Sequence, residues 1–272
     1  MIVNWIYGVP TWEMGSVIVA LVVGLSLLGL AVTSRFLHVE LRRKHNEFTG
    51  FNSALIGVVF AVLLAFIAVE AWESFGKAGD TAAVEASLTG DLYRDATAMP
   101  EPIKTEVTSD LADYIDIVLT KDWPAMAIGA SVGNDGWVPL AKIHRALGNA
   151  QTINPVQVAM VSEMLRRLNS LYDARQDRIL AAQDHIDPAV WWVVVLGATI
   201  IISLTYLFGM ESLAMHMAMT GAVAASLALV IVLIVAFDYP FRGEVQVAPD
   251  GFRNVQHIME TAGVKFAHDA ER

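Results

Sequence analysis

Four stretches of this chain carry no Asp, Glu, Lys or Arg, and each is long enough to cross a bilayer as a helix: Met14–Ser34, Phe48–Val69, Pro188–Met210 and Ser212–Phe237. About 20 helical residues span a hydrocarbon core of roughly 30 Å. Backbone groups in lipid must be satisfied within the segment, so such runs are helices rather than loops. Four buried helices of a soluble protein are the alternative, and they fit poorly because core helices this long and this free of charge are rare. Composition agrees: 55% of the 272 residues are apolar and 17% charged, with mean hydropathy +0.51. A soluble domain carries about 25% charged residues to cover its surface. No Lys or Arg precedes the first run, and its length exceeds that of a signal-peptide core, so it is expected to stay as a span. Aromatic residues mark the interfaces: Trp5, Tyr7 and Trp12 before span one, Trp72 after span two, Trp191 and Trp192 opening span three, and Tyr239 after span four. Glu211 alone separates spans three and four, which predicts a tight helical hairpin.

The fold class expected is therefore an all-α integral membrane protein with four transmembrane helices and a helical extramembrane insert between spans two and three. The organisation reads as an N-terminal transmembrane hairpin (1–75), the insert (76–187), a C-terminal transmembrane hairpin (188–237) and a tail (238–272). The insert holds ten basic residues from Lys77 to Arg178 and sixteen acidic ones counted to Asp187. Val84, Leu88, Leu92 and Met99 fall near one helical face, and Ile103, Val107, Leu111, Ile115 and Val118 repeat at helical spacing. Pro100-Glu101-Pro102 breaks the chain, and Gly133-Asn134-Asp135-Gly136 makes a turn before a short helix around Leu140, Ile143 and Leu147. Asn154-Pro155 and Asp187-Pro188 are helix starts, each an N-cap followed by proline at the first helical position. No proline interrupts residues 53–99, so span two is expected to run straight into the insert.

The net charge of −10 argues against nucleic acid as a partner. The absence of cysteine removes disulfides, zinc–thiolate sites, iron–sulfur clusters and thiol catalysis. Arg35, Arg42, Arg43 and Lys44 follow span one and nothing basic precedes it, which favours a cytoplasmic 35–44 loop. The insert and both termini would then be extracytoplasmic. The opposite face counts Lys77, Arg175, Arg178, Arg242 and Arg253, so the totals are close.

Span two carries the most informative pattern. One seam reads Asn52, Ile56, Val59, Leu63, Phe66, Glu70, Glu73. In an oligomer it would line a pore: Asn52 at one mouth, an apolar constriction that gates by dewetting, and an acidic ring at the other mouth. The plainer reading leaves the apolar part in lipid or core and both glutamates in the interface. A second face places Gly57, Ala61 and Ala65 at intervals of four, spacing that lets helices approach closely in lipid. Other clusters carry less. Met210, Met215, His216, Met217 and Met219 include soft donors but do not share a helical face. His38, Glu40, His45 and Glu47 match no metalloenzyme spacing, and an interfacial loop attracted to anionic lipid is their default. Asp173, Arg175, Asp177 and Arg178 alternate in charge, as on a solvated helix face. No nucleotide-binding loop, nucleophile elbow or paired-acid site is present, so no enzyme, cofactor or metal is expected.

A group of motifs resembles the bacterial bestrophin-like family (the DUF4239 domain). They are His45-Asn46-Glu47 with Gly50, Trp72, Glu85-Ala86, Leu92-Tyr93-Arg94, Met99-Pro100, Tyr114, Asp122-Trp123-Pro124, Leu171-Tyr172-Asp173-Ala174-Arg175 with Arg178, Tyr206-Leu207-Phe208-Gly209, and Asp238-Tyr239-Pro240-Phe241-Arg242-Gly243 with Phe252. The resemblance runs from about Leu41 to Phe252. It implies four spans, a helical insert, and distant kinship to bestrophins, pentameric anion channels whose second span lines the pore with an apolar neck. It also implies a cytosolic large domain, opposite to the local charge contrast, and acidic residues at a mouth favour cations instead. The function expected is an oligomeric ion channel of the bacterial inner membrane, with lipid and further copies of the chain as partners. The alternative is a non-conducting scaffold or envelope sensor that binds a partner through the acidic insert.

Overall fold

The computed structural model describes residues 7–151 and 154–266, and Trp5 lies outside the described residues. The described chain is helical, with no strand among the described residues. In order the elements are α1 (Thr11–Phe36), α2 (Val39–Arg43), α3 (Asn46–Thr97), α4 (Ile103–Ile117), a π-helical turn (Val118–Asp122), α5 (Trp123–Ala127), α6 (Trp137–Gly148), α7 (Pro155–Ala181), α8 (Pro188–Tyr206), α9 (Leu213–Asp238) and α10 (Asp250–Thr261). Four of them, α1, α3, α8 and α9, are long and apolar enough to cross a membrane. The start signals behave as read: Asn154 Oδ1 accepts from the Gln157 amide at 2.9 Å, and Asp187 Oδ1 from the Ala189 amide at 2.7 Å. With no proline to stop it, α3 runs unbroken for 52 residues, about 78 Å.

Two compact units are present. The first contains α1, α2, α3 as far as Ser74, α8 and α9. One small buried cluster joins Phe60, Leu64 and Ala71 of α3, Val194 and Ala198 of α8, and Ile234 of α9, with Leu30 of α1 and Ala224 and Ala228 of α9 also buried. Most other apolar side chains of the four long helices point outward, as expected where lipid is the solvent. Packing there depends on close backbone approach rather than on escape from water. The glycines that allow it are not those of the small-residue face. No side chain lies within 4 Å of where a Cβ on Gly57 would stand, and Ala61 and Ala65 are exposed. The Phe60 ring instead fills the space a Cβ on Gly197 would need, and the Tyr206 ring does the same at Gly29. Phe60 seated on Gly197 buries one flank of α3, and among the described residues no side chain approaches Gly57 on the small-residue face. The α8–α9 connection is a short irregular segment, and α9 packs chiefly against α1 rather than α8.

The second unit contains the rest of α3, the helices α4 to α7, and α10 with the segment leading to it. Ile103, Val107, Leu111, Ile115 and Val118 are all buried, so the helical-period stripe read in α4 is its core face. Along α3 the outcome differs: Leu92 and Met99 are buried but Val84 is exposed, and Ala78, Ala82 and Ala86 face the core. Small residues win that face because α10 lies close. A Cβ on Gly251 would stand 2.9 Å from Ala86 Cβ, and one on Gly90 3.3 Å from Val255. Phe241, Val247, Phe252, Val255, Met259 and Phe266 complete this core from the C-terminal segment.

Candidate functional site

The α3 seam is displayed along the first unit. Ile56, Val59, Leu63, Phe66, Glu70 and Glu73 are exposed within the single chain, and Asn52 is half-buried with its amide donating to the Phe48 carbonyl at 2.9 Å. Phe66 is 71% exposed and Val59 65%, whereas Phe60 and Leu64 are 6% and 4% exposed. At 100° per residue the seam is centred roughly a third of a turn from the buried face. From Ile56 to Phe66 the apolar part extends about 15 Å, and Asn52 stands about 27 Å from Glu70, close to a hydrocarbon thickness. One face of α3 thus anchors the helix in its own bundle, and another offers a polar–apolar–acidic strip left exposed among the described residues.

Two of the recognised motifs meet at one end of the bundle. Asn46 holds Gly209 by two hydrogen bonds, its amide nitrogen donating to the Gly209 carbonyl at 3.0 Å and its Oδ1 accepting from the Gly209 amide at 2.8 Å. Arg42 is buried and donates from Nη1 to the Tyr206 carbonyl at 3.0 Å, satisfying the last turn of α8. Gly209 presses on backbone: a Cβ there would stand 2.3 Å from the Arg43 amide nitrogen and 2.8 Å from the Val39 carbonyl oxygen. Backbone cannot rotate away as a side chain can, so Gly209→Ala is expected to destabilise the fold by about 3 kcal/mol. The check is a thermal melt of the detergent-purified variant, where an unchanged midpoint contradicts this contact. His45 and Glu47, either side of the clamp, are exposed. Groups of three or more His, Cys, Asp or Glu able to hold a metal are absent among the described residues. His216 is buried, its Nε2 2.8 Å from the Thr205 carbonyl, a packing role between α8 and α9.

The second unit holds a buried charge cluster where a solvated face was expected. Arg175 and Arg178 are both 0% exposed. Arg178 Nε donates to Glu85 Oε2 at 2.5 Å, and its Nη2 reaches Glu85 Oε1 at 3.1 Å and Asp122 Oδ2 at 3.0 Å. Arg175 Nη1 donates to the same Asp122 oxygen at 2.6 Å, and the Tyr114 hydroxyl donates to Glu85 Oε1. Two carboxylates thus balance two guanidiniums. Aromatic rings cover the cations: Arg178 lies 5.0 Å from the Trp123 ring centre and 6.0 Å from that of Phe252, and Arg175 lies 4.9 Å from Trp137 and 5.5 Å from Tyr114. Burial pulls the Arg178 pKa down, but Glu85, Tyr114 and Asp122 together outweigh it and hold it above the ordinary value. Burial and the Glu85 charge push the Tyr114 phenol well above its usual range. Asp173 and Asp177 are exposed, so only half of the alternating pattern faces solvent.

Every helix of this unit reaches the cluster: α3 through Glu85, α4 through Tyr114, the π turn through Asp122, α5 through Trp123, α6 through Trp137, α7 through both arginines and α10 through Phe252. Trp123 is fixed by its Nε1 donating to the Val247 carbonyl at 3.1 Å and by edge contacts with Phe241 and Phe252. The cluster's charged groups are at most 2% exposed, so it serves to join helices. Tyr93 is buried in the same core, whereas Arg94 is exposed and pairs with Asp91 at 2.9 Å. Trp72 is exposed and meets Phe237 edge-on at 5.2 Å. Asp238 accepts from the Ile186 amide at 2.7 Å, Pro240 from the Val247 amide at 2.7 Å, and Gly243 makes a turn with φ +85° that a side chain would strain.

The model of the Bestrophin-like domain matches residues 20–252. The chain belongs to the bestrophin-like family. Among solved structures, a bacterial bestrophin homologue from Klebsiella pneumoniae, crystallised with a leucine-to-threonine mutation, is 11% identical with TM-score 0.69, covering 91% of this chain and 99% of that one. The same homologue with a tyrosine-to-alanine mutation gives 12% and 0.64 over 91% and 99%. A structure described as a membrane protein with a proline-to-alanine mutation gives 12% and 0.66 over 89% and 99%. Comparison with curated proteins returns no match. At such identities the likeness is one of fold, extending over nearly the whole of each relative. This bestrophin-like protein is an all-α, multi-pass membrane protein.

Proposed function

We propose that this bestrophin-like protein assembles into a closed ring of identical copies, five by analogy with bestrophins, and conducts ions along the α3 seams gathered at its axis. Ile56, Val59, Leu63 and Phe66 form the apolar neck, Asn52 lines one mouth and Glu70 with Glu73 the other. The observation that carries this is the uncovered strip on α3, apolar between polar and acidic ends, on a helix whose buried face already anchors it in its own bundle. A constriction of this kind conducts when wet and closes when it dewets. The bestrophin-type fold supports the same placement of the second span.

The acidic mouth selects cations in this scheme. Charged rings concentrate ions of opposite sign, so the pore takes small cations in preference to chloride. The membrane is the bacterial inner membrane, with the 35–44 loop at the cytoplasmic face and the insert outside, following the steep charge contrast across α1. Proteoliposomes under a salt gradient test the proposal: flux above that of empty liposomes is expected, with cations favoured. Glu70→Gln/Glu73→Gln lowers the cation-to-anion permeability ratio about threefold or more. Flux no greater than in empty liposomes contradicts conduction, and an unchanged ratio contradicts the assignment of the acidic mouth.

A further inference from the structure

The bundle end that carries α2 holds the densest positive charge of an otherwise acidic chain. Arg35, Arg42, Arg43 and Lys44 fall within ten residues, and after Glu40 and Glu47 are set against them the segment keeps +2 in a protein of net −10. Arg43 pairs with Glu211 at 2.7 Å. Arg42 is buried and gives its Nη1 to a neutral carbonyl, that of Tyr206, so its charge is not cancelled there. Arg35 and Lys44 are exposed, and neither has a carboxylate within ion-pairing distance among the described residues. The segment is pinned by the Asn46–Gly209 clamp and the Arg42 bond, so its cations project from a fixed base.

Large apolar side chains are interleaved with these cations. Phe36 is 76% exposed and Phe51 71%, with Leu41 exposed beside them. The end of a transmembrane bundle is where such a mixture has a purpose. Apolar side chains enter the acyl region while long cationic ones reach the phosphate layer. The matching ligand has a negative headgroup joined to acyl chains. A zwitterionic headgroup adds an ammonium that meets Arg35 and Lys44 unfavourably, and inorganic phosphate lacks anything for Phe36 and Phe51 to hold.

We propose that this face binds an anionic phospholipid, with Arg35 and Lys44 contacting its phosphate and Phe36 and Phe51 its acyl chains. Native mass spectrometry of the detergent-purified protein, mixed with equal amounts of phosphatidylglycerol and phosphatidylcholine, tests it. Phosphatidylglycerol is expected to be retained about tenfold over phosphatidylcholine, since each basic side chain near a phosphate contributes on the kcal/mol scale. Arg35→Gln/Lys44→Gln brings the ratio close to one, whereas Lys142→Gln/Arg145→Gln, two exposed cations of the second unit, leaves it unchanged. Both pairs are exposed, and an unaltered melting midpoint confirms that they fold. Equal retention of the two lipids by the unaltered protein overturns the proposal, as does undiminished preference in the first variant. Displacement of phosphatidylglycerol by inorganic phosphate at matched concentration also overturns it. Ion flux plays no part in the readout, so this result and that for conduction stand apart.

Discussion

Arg178→Met lowers the stability of the folded protein by about 3–5 kcal/mol, a fall of about 10 °C in melting midpoint for a chain of this size. The methionine nearly matches the arginine stem in volume, so the loss is not chiefly one of packing. It comes from what is left behind. Glu85 keeps its hydrogen bond from Tyr114 but loses both bonds from the guanidinium, and it has no solvent exposure with which to recover them. Asp122 retains Arg175 alone. An uncompensated buried carboxylate is costly. Arg178→Lys preserves charge but not the fork that reaches Glu85 and Asp122 together, so it falls between the two. Arg166→Met, removing an exposed cation that pairs with Glu163 at 2.5 Å, changes the midpoint little. Thermal melts followed by helical circular dichroism read all three. Arg178→Met as stable as the unaltered protein contradicts the joining role of the cluster.

The proposed neck gives the second large effect. Leu63→Asn and Phe66→Ala each raise ion flux in proteoliposomes about tenfold, equivalent to roughly 1.4 kcal/mol off the barrier. Asparagine offers hydrogen bonds to water in a constriction that otherwise expels it, and Phe66→Ala widens the ring by removing its largest side chain. Both positions are exposed in the single chain and leave the Phe60–Gly197 contact intact, so folding is preserved. Val58→Ala is the control: Val58 is also exposed on α3 but lies away from the seam, and its flux is expected to match that of the unaltered protein. Unchanged flux in the Leu63 and Phe66 variants places the barrier elsewhere.

What the sequence disclosed, and what it withheld, follows from the range of the signals. Charge-free runs and cap residues are local, and they located the four membrane helices to within a few residues at most ends, down to the Asn154 and Asp187 caps. The period of α4 was equally plain because its partners are large and apolar. The buried cluster was not, because Arg178 meets Glu85 from 93 positions away, and pattern alone assigns a charged residue to solvent. A signal was present. The stripe Met164, Leu168, Leu171 on α7 continues at the same spacing onto Arg175 and Arg178, and Glu85 lies among the alanines of the α3 core face. The Gly57, Ala61 and Ala65 face says that a helix can approach but not which one: among the described residues none does, and Phe60 against Gly197 makes the close contact instead.

An electron-microscopy map of the detergent-purified particle shows where α3 stands when copies assemble. A closed ring is expected, with one α3 from each copy nearest the axis and Ile56, Val59, Leu63 and Phe66 turned toward a narrow central passage. A particle of one copy, or a ring whose axis is lined by α1 or α9 with the α3 seam against detergent, contradicts it.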